Sequence, residues 1–119
     1  MTHQRLNPGP RMSQAVCVGG LAFLAGQVPD DLDADISEQT RQVLAKIDGI
    51  VEALGRTKAD IATVQVWLSD MDGFQGMNDV WDGWVDRDAP PARATGGVAL
   101  ARPGMKVEMI AVVALCQAG

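Results

Sequence analysis

Residues 107–115 read VEMIAVVAL, and this stretch decides how the chain must fold. Every residue in it except Glu108 is apolar, so both faces of the strand that it predicts are apolar. A strand of this kind is typical of the middle of a sheet that is covered on both sides. The sequence therefore predicts a central strand with one layer of structure above it and another below.

Upstream of this strand, two segments have the spacing of amphipathic helices. Apolar residues recur at helical intervals over residues 36–54. Asp35 is placed to cap the N-terminus of this helix, with Glu38 in a capping-box position and Gly55 as the stop. A second helix is predicted after Asp72, a plausible N-cap. Its apolar stripe consists of Phe74, Met77, Val80, Trp81, Trp84 and Val85.

The remaining segments alternate like strands. Gly19 and Gly20 separate two apolar runs and predict a hairpin. Gly96 and Gly97, inside a strand, indicate a bulge or a close approach of another backbone. The predicted strands cover residues 3–6, 13–18, 21–28, 63–70, 92–100 and 106–115.

The order of these elements leaves one side of the sheet bare. Each helix connects two strands, and right-handed crossovers place both helices on one face. By alternation, Trp67 points to the opposite face. The chain has no third helix for that face, so we expect another copy of the protein to cover it. The prediction is a single α+β domain over residues 1–119 that packs sheet against sheet with its copies.

Composition excludes several classes of function. The chain has 119 residues, 47% of them apolar, which suits one domain with a real core. A net charge of −5, with no basic stripe, argues against nucleic acid as a partner. No apolar run reaches the roughly 18 residues of a membrane helix, and residues 1–10 lack a signal-peptide core. Cys17 and Cys116 lie far apart without metal-binding spacing, which fits a reducing cytoplasm.

Two charged residues interrupt the apolar strands and are the main candidates for a site. Arg93 follows Pro91 by two residues. It is either an edge residue that reaches solvent or an anchor that grips both oxygens of a carboxylate. Glu108 is either a structural ion-pair or solvent-facing position, or a cleft carboxylate that activates water or binds an amino group. Because an unpaired buried carboxylate is costly, we favour function for Glu108.

Metal binding is not predicted. The acidic loop that contains Asp30, Asp31, Asp33 and Asp35 lacks the glycine and the terminal glutamate of an EF-hand, and indicates a solvated loop with a helix cap. His3 is the only histidine and lies near the terminus, so it is a poor general base.

Several motifs together resemble the RidA (YjgF-like) family. They appear in the family's order and spacing over about residues 9–115, and they read PRMSQAV, FLAGQVP, ISEQTRQVLAKIDGIVEALG, VQVWLSDMDGFQGMNDVWDGWV, PARAT and KVEMIAVVAL. The resemblance implies a chorismate-mutase-like α+β fold, a homotrimer and sites in clefts between subunits. It also implies hydrolysis of reactive enamines and imines to 2-oxo acids and ammonia, without cofactor or metal.

The resemblance assigns roles to three residues. Arg93 matches the family arginine that binds the substrate carboxylate, and Glu108 matches its site glutamate, which would position or polarise the attacking water. Gly26 matches the glycine of the GQ element, whose backbone lines the pocket.

Other positions depart from the family pattern. Met12 stands where the active branch has a tyrosine, and Thr95 stands where some members have a cysteine. Ala25 replaces a common serine, while Gly96 and Gly97 replace a bulky residue and a glutamate. The resemblance places Met12 and Thr95 in the substrate pocket with Arg93 and Gly26.

The expected protein is therefore a cytoplasmic, homotrimeric deaminase that acts on 2-imino acids of the 2-iminobutanoate or 2-iminopropanoate type. Its expected ligand is a small carboxylate, with no nucleic acid, membrane, metal or cofactor. One alternative is a module of the same fold that senses a carboxylate metabolite without catalysis. A third is the ribonuclease or translation-inhibitor activity ascribed to some relatives, which the acidic composition disfavours.

Overall fold

Six strands form one mixed sheet in the computed structural model, which describes residues 3–115. The strands are β1 (Gln4–Leu6), β2 (Ala15–Val18), β3 (Leu21–Leu24), β4 (Ile61–Leu68), β5 (Ala92–Gly97) and β6 (Val107–Ala114). Their order across the sheet is β1-β2-β3-β6-β4-β5. Only β4 and β5 pair in parallel; all other neighbours are antiparallel.

Strand β6 lies in the middle of the sheet, as its sequence predicts. Its residues alternate in burial, and the fully buried set is Val107, Met109, Ala111 and Val113. Ile110, Val112 and Ala114 are only partly buried. Helix α1 (Ile36–Ala53) packs on β6 and against helix α2 (Phe74–Trp84). Both helices lie on one face of the sheet, as the sequence predicts. The opposite face, which carries no helix, is called the open face.

The ends of α1 largely follow the predicted signals. The Asp35 side chain accepts a hydrogen bond from the Glu38 backbone N–H at 2.9 Å, and Gly55 has a left-handed φ of +72° just beyond the helix. The full capping box is not formed. The Glu38 carboxylate instead accepts hydrogen bonds from Arg41 and Gln42, one turn further along α1.

The start of α2 differs from the prediction. Asp72 is not its N-cap; Asp72 lies within a 3-10 turn, Met71–Gly73, that Asp70 caps by accepting from the Asp72 backbone N–H at 2.9 Å. The α-helix begins at Phe74 without a side-chain cap. Two capping aspartates compete here, and the first one closes the turn.

Glycine at position 76 lets the two helices approach closely. A Cβ on Gly76 would lie 2.7 Å from Ile36 Cγ2 of α1. Glycine lowers the helix propensity at this position, but because it has no side chain it also lets α2 pack more closely on α1.

Several strand limits differ from the prediction. The segments predicted at 13–18 and 21–28 pair only as β2 and β3, and beyond Leu24 one bridge joins Gln27 to Met109. Strand β4 starts earlier and β5 ends earlier than expected. Of the two alternatives given for Gly96 and Gly97, the bulge is wrong, because both residues pair in register with β4; the register shift lies in β4, between Ile61 and Thr63.

A buried glutamine fixes the segment that leads into β6. Gln39 of α1 is fully buried and donates to the Gly104 carbonyl at 2.8 Å, while its Oε1 accepts from the Lys106 backbone N–H at 2.8 Å. We predict that Gln39→Leu lowers the free energy of unfolding, measured by urea titration, by about 1–3 kcal/mol for each buried group left unpaired. Gln42→Leu, at the partly buried flank of α1, is the control and should cost less. Equal losses would contradict this account.

Among residues 3–115, neither α1 nor α2 is long and apolar enough to cross a membrane. Cys17 is a free thiol on β2, whereas Cys116 falls outside the described residues.

Candidate functional site

Arg93 points toward the helices. In the parallel β4–β5 ladder it pairs with Val64, which is buried under the helix layer, so the two side chains share that face. The guanidinium Cζ lies 4.9 Å from the centre of the Trp81 ring and 6.0 Å from that of Phe74. Its Nη1 lies 3.9 Å from Met77 Sδ. Helix α2 thus supplies every one of these neighbours.

These neighbours leave the charge of Arg93 unmatched. Within residues 3–115 the ion pairs are Arg41–Glu38 and Lys46–Asp30, and Arg93 takes part in neither. A thioether is a weak acceptor, and an aromatic face occupies none of the in-plane N–H groups. A partly buried guanidinium whose hydrogen-bond acceptor among residues 3–115 is the weak Met77 thioether is chemically suited to an incoming carboxylate or other anion.

Glu108 occupies the open face, where it pairs across the strands with Trp67. Burial raises the pKa of the Glu108 carboxyl above its usual range, because desolvation disfavours the charged form. None of the side-chain hydrogen bonds within the described part of the chain involves this carboxylate. The sequence prediction of a carboxylate in an apolar, partly buried strand position is therefore matched by the geometry.

Gly26 lies directly against this carboxylate. A Cβ at position 26 would overlap Glu108 Oε2 and lie 3.0 Å from Glu108 Cδ. The neighbouring Gln27 is buried and is held by two backbone hydrogen bonds to Met109 and by its own side chain, which donates to Gln14. Glycine at this position is required for the carboxylate to rest on the backbone.

A single chain does not bring Arg93 and Glu108 together. Counting along the registers, Arg93 shares a face with Val64, whereas Glu108 shares the opposite face with Trp67. The structure thus joins Gly26 to Glu108 and leaves Arg93 on the other side of the sheet.

The other two predicted pocket residues occupy different places. Thr95 lies on the same face as Arg93, and its Oγ1 is buried without a hydrogen-bond partner among residues 3–115. Met12 is 59% exposed in the connection between β1 and β2, on neither strand.

The sequence analysis did not identify the α2 neighbours of Arg93 as site residues. Phe74, Met77 and Trp81 were predicted as part of the apolar stripe of α2, which they are. Their spacing of three and four residues, which puts all three on one helix face, was the available signal. What it lacked was the register that brings β5 under that face.

A small cavity of about 220 Å³ is lined by Thr95 and Trp67, and two bigger ones lie elsewhere. One of about 510 Å³ lies between α1 and α2, near Asp48 and Trp84, and one of about 550 Å³ lies beside Asp70 and Lys106. Neither is lined by Arg93 or Glu108. Over residues 3–115, no cluster of three or more His, Cys, Asp or Glu side chains could hold a metal ion.

Comparison with known proteins shows similarity over the whole described fold. Residues 2–115 match the family described as Endoribonuclease L-PSP. A RutC family protein of Haemophilus influenzae is 41% identical over 117 residues, covering 98% of this chain and 100% of that protein. The RutC family protein YoaB of Escherichia coli is 37% identical over 115 residues, covering 97% and 100%. The crystal structure of NMB1025 from Neisseria meningitidis, a member of the YjgF protein family, superposes with a TM-score of 0.92 at 38% identity, covering 99% and 98%.

Proposed function

This chain belongs to the RidA/YjgF-like family, and from that premise we propose that it hydrolyses reactive imines and enamines of 2-amino acids. The products are the 2-oxo acid and ammonia. The observation that carries the proposal is the unmatched guanidinium of Arg93, which offers a two-point grip for the substrate carboxylate. The family description Endoribonuclease L-PSP is less well supported by this chain, because its net charge of −5 opposes RNA phosphates.

The proposed site is assembled from two copies of the chain. Arg93 and Glu108 lie on opposite faces of one sheet, so one substrate can reach both only if they come from different copies. The partly buried apolar residues of the open face, Ile110 and Val112 among them, supply a surface for such packing. We propose a homotrimer with one site in each intersubunit cleft.

In this site, Arg93 of one copy holds the carboxylate while Glu108 of the next acts on water. Glu108 accepts a proton from water as the water oxygen adds to the carbon of the protonated imine, which gives a neutral carbinolamine. The same carboxyl then gives this proton to nitrogen, and the Glu108 carboxylate accepts the hydroxyl proton as ammonia leaves and the carbonyl forms; solvent finally takes up that proton. Gly26 keeps the carboxylate against the backbone, which limits its motion.

Ammonia release from imines generated in situ tests the proposal. An amino acid oxidase supplies the 2-imino acid, and the purified protein should accelerate loss of the imine over the rate in buffer, with one ammonia and one 2-oxo acid formed per imine. The acceleration should persist after extensive chelation. An unchanged rate at high protein concentration would contradict the proposed hydrolysis.

One observation favours the sensing alternative. Met12 and Ala25 replace hydroxyl-bearing residues of the active branch that the resemblance describes, and Met12 is exposed and apolar. Arg93 could bind a carboxylate without turnover in that case. Saturable binding of a 2-oxo acid with no acceleration of imine loss would identify the sensor.

The raised pKa of Glu108 gives the reaction a predictable pH dependence. The base must be ionised, so kcat/KM should fall as the pH drops through the pKa of Glu108. Because burial raises that pKa, the acid limb should lie above the ordinary glutamate value of ~4.3. Glu108→Gln should lower kcat more than substrate affinity and abolish this limb, whereas the exposed control Glu52→Gln should leave it in place. A limb that persists in Glu108→Gln would assign it to another group.

A further inference from the structure

We propose that Trp81 is a positioning residue for Arg93: its indole face holds the guanidinium so that the N–H groups project toward the incoming carboxylate. The inference rests on the proposed function, because it concerns how the same anion site is kept ready.

The first support is the kind of contact that Arg93 makes. Its Cζ lies 4.9 Å from the Trp81 ring centre, within the ~6 Å range of a cation–π interaction. An arginine held by a carboxylate would be neutralised and its donors occupied. An aromatic face restrains the same group through its π electrons and leaves all in-plane donors free for a ligand.

The second support is that Trp81 is itself buried. It is only 6% exposed and belongs to the hydrophobic core. Phe74, whose ring centre is 6.0 Å from the guanidinium, is 37% exposed and is the more distant partner. A buried ring is the better fixed point, because its rotamer is set by packing on every side.

The third support is the long, flexible side chain that must be restrained. Arginine loses considerable rotamer entropy when a ligand orders it. If Trp81 orders the guanidinium before binding, less of that entropy is lost when the carboxylate arrives, and affinity rises. The Met77 thioether, 3.9 Å from Nη1, adds a further contact on the same helix face.

Two substitutions separate this role from mere packing. Trp81→Phe keeps an aromatic face, whereas Trp81→Leu keeps an apolar side chain and removes the π electrons. Both leave space in the core, so both should lower the unfolding temperature. Trp84→Leu is the matched control, since Trp84 is also on α2 and packs on Trp81 at 5.2 Å but makes no cation–π contact with Arg93.

The measurements are made on the intact protein. Binding of 2-oxobutanoate, a carboxylate product, is compared with that of its neutral amide by calorimetry. Nuclear magnetic resonance of the Arg93 Nε–Hε group in the ligand-free protein reports how far the guanidinium is restrained. We expect Trp81→Leu to weaken 2-oxobutanoate binding about tenfold and to mobilise Arg93, and Trp81→Phe to weaken binding no more than about threefold. Amide binding should change little in either variant, and Trp84→Leu should bind like the wild type.

Equal losses in Trp81→Leu and Trp81→Phe, or an Arg93 signal unchanged in Trp81→Leu, would overturn the positioning role. Failure of the proposed hydrolysis has a different signature. In that case the wild-type protein binds 2-oxobutanoate, and Trp81→Leu binds it more weakly than Trp81→Phe does, yet no ammonia is released from imines. A wild-type protein that binds no carboxylate would overturn both.

Discussion

Replacing Arg93 by alanine is expected to reduce kcat/KM for 2-imino acids on the order of a hundredfold or more. A hydrogen bond to a charged group contributes roughly 1.5–3 kcal/mol, and the guanidinium can form two with one carboxylate. Arg93→Lys should retain a small fraction of activity, because it keeps the charge and loses the paired geometry. The measurement is steady-state kinetics on imines generated in situ.

Stability of the Arg93 variants must be followed in parallel. Arg93 contacts Trp81 and Met77, so alanine also removes packing against α2. Circular dichroism and light scattering should show a folded protein of unchanged oligomeric state. Arg41→Ala is the matched control, since Arg41 is an exposed arginine paired with Glu38, and it should keep full activity. Near-normal turnover by a folded Arg93→Ala protein would make Arg93 a structural edge residue.

Combining two strongly impaired variants in one trimer is expected to restore activity. If each site takes Arg93 from one copy and Glu108 from the next, a trimer that contains Arg93→Ala and Glu108→Gln chains holds some sites with both native residues. Random assembly of equal amounts should give about a quarter of the wild-type activity. Each site needs a native Arg93 from one chain and a native Glu108 from the next, and each of these is present about half of the time. Co-expression with two affinity tags yields the mixed trimers for assay.

The separate variants, mixed after purification without exchange of subunits, are the control and should show only the low activity of each variant alone. Light scattering should give three times the chain mass of 12.6 kDa for every sample. Mixed trimers that remain inactive would mean that both residues of a site belong to one chain or that the residues are wrongly chosen. A monomeric wild-type protein would rule out the shared cleft altogether.

Much of the fold could be predicted from local patterns. The apolar run 107–115 identified the central strand, and helical spacing with Asp35 and Gly55 identified α1. The start of α2 could not be fixed, because Asp70 and Asp72 are both good caps and only the packed structure shows which one closes the turn. Strand ends were misplaced where apolar residues continue beyond the last pairing partner, as after Leu24.

The site was less accessible to sequence reasoning. Arg93 and Glu108 could be singled out as charges in apolar strands, and the resemblance placed Gly26 in the pocket, but its contact with Glu108 is visible only in the structure. Alternation along β5 shows which of its residues share a face, but not whether that face is the helix-covered or the open face of the sheet. The face of Arg93 depends on the parallel register of β5 with β4, set by a crossover through α2. For the same reason the sequence did not reveal the contact with Trp81, although helical spacing placed Phe74, Met77 and Trp81 on one face of α2.

The position of β6 has a consequence for how the protein is made. β6 is the last strand along the described chain and yet the middle one in space, between β3 and β4. Until it leaves the ribosome, the β1–β3 meander and the β4–β5 pair have no ladder to join them, and α1 lacks the strand on which it packs, although it can already contact α2. Tertiary structure must therefore form late and through contacts distant in sequence, which slows folding. A nascent chain halted before residue 107 would hold two unjoined fragments with apolar sides in water, a form prone to aggregate.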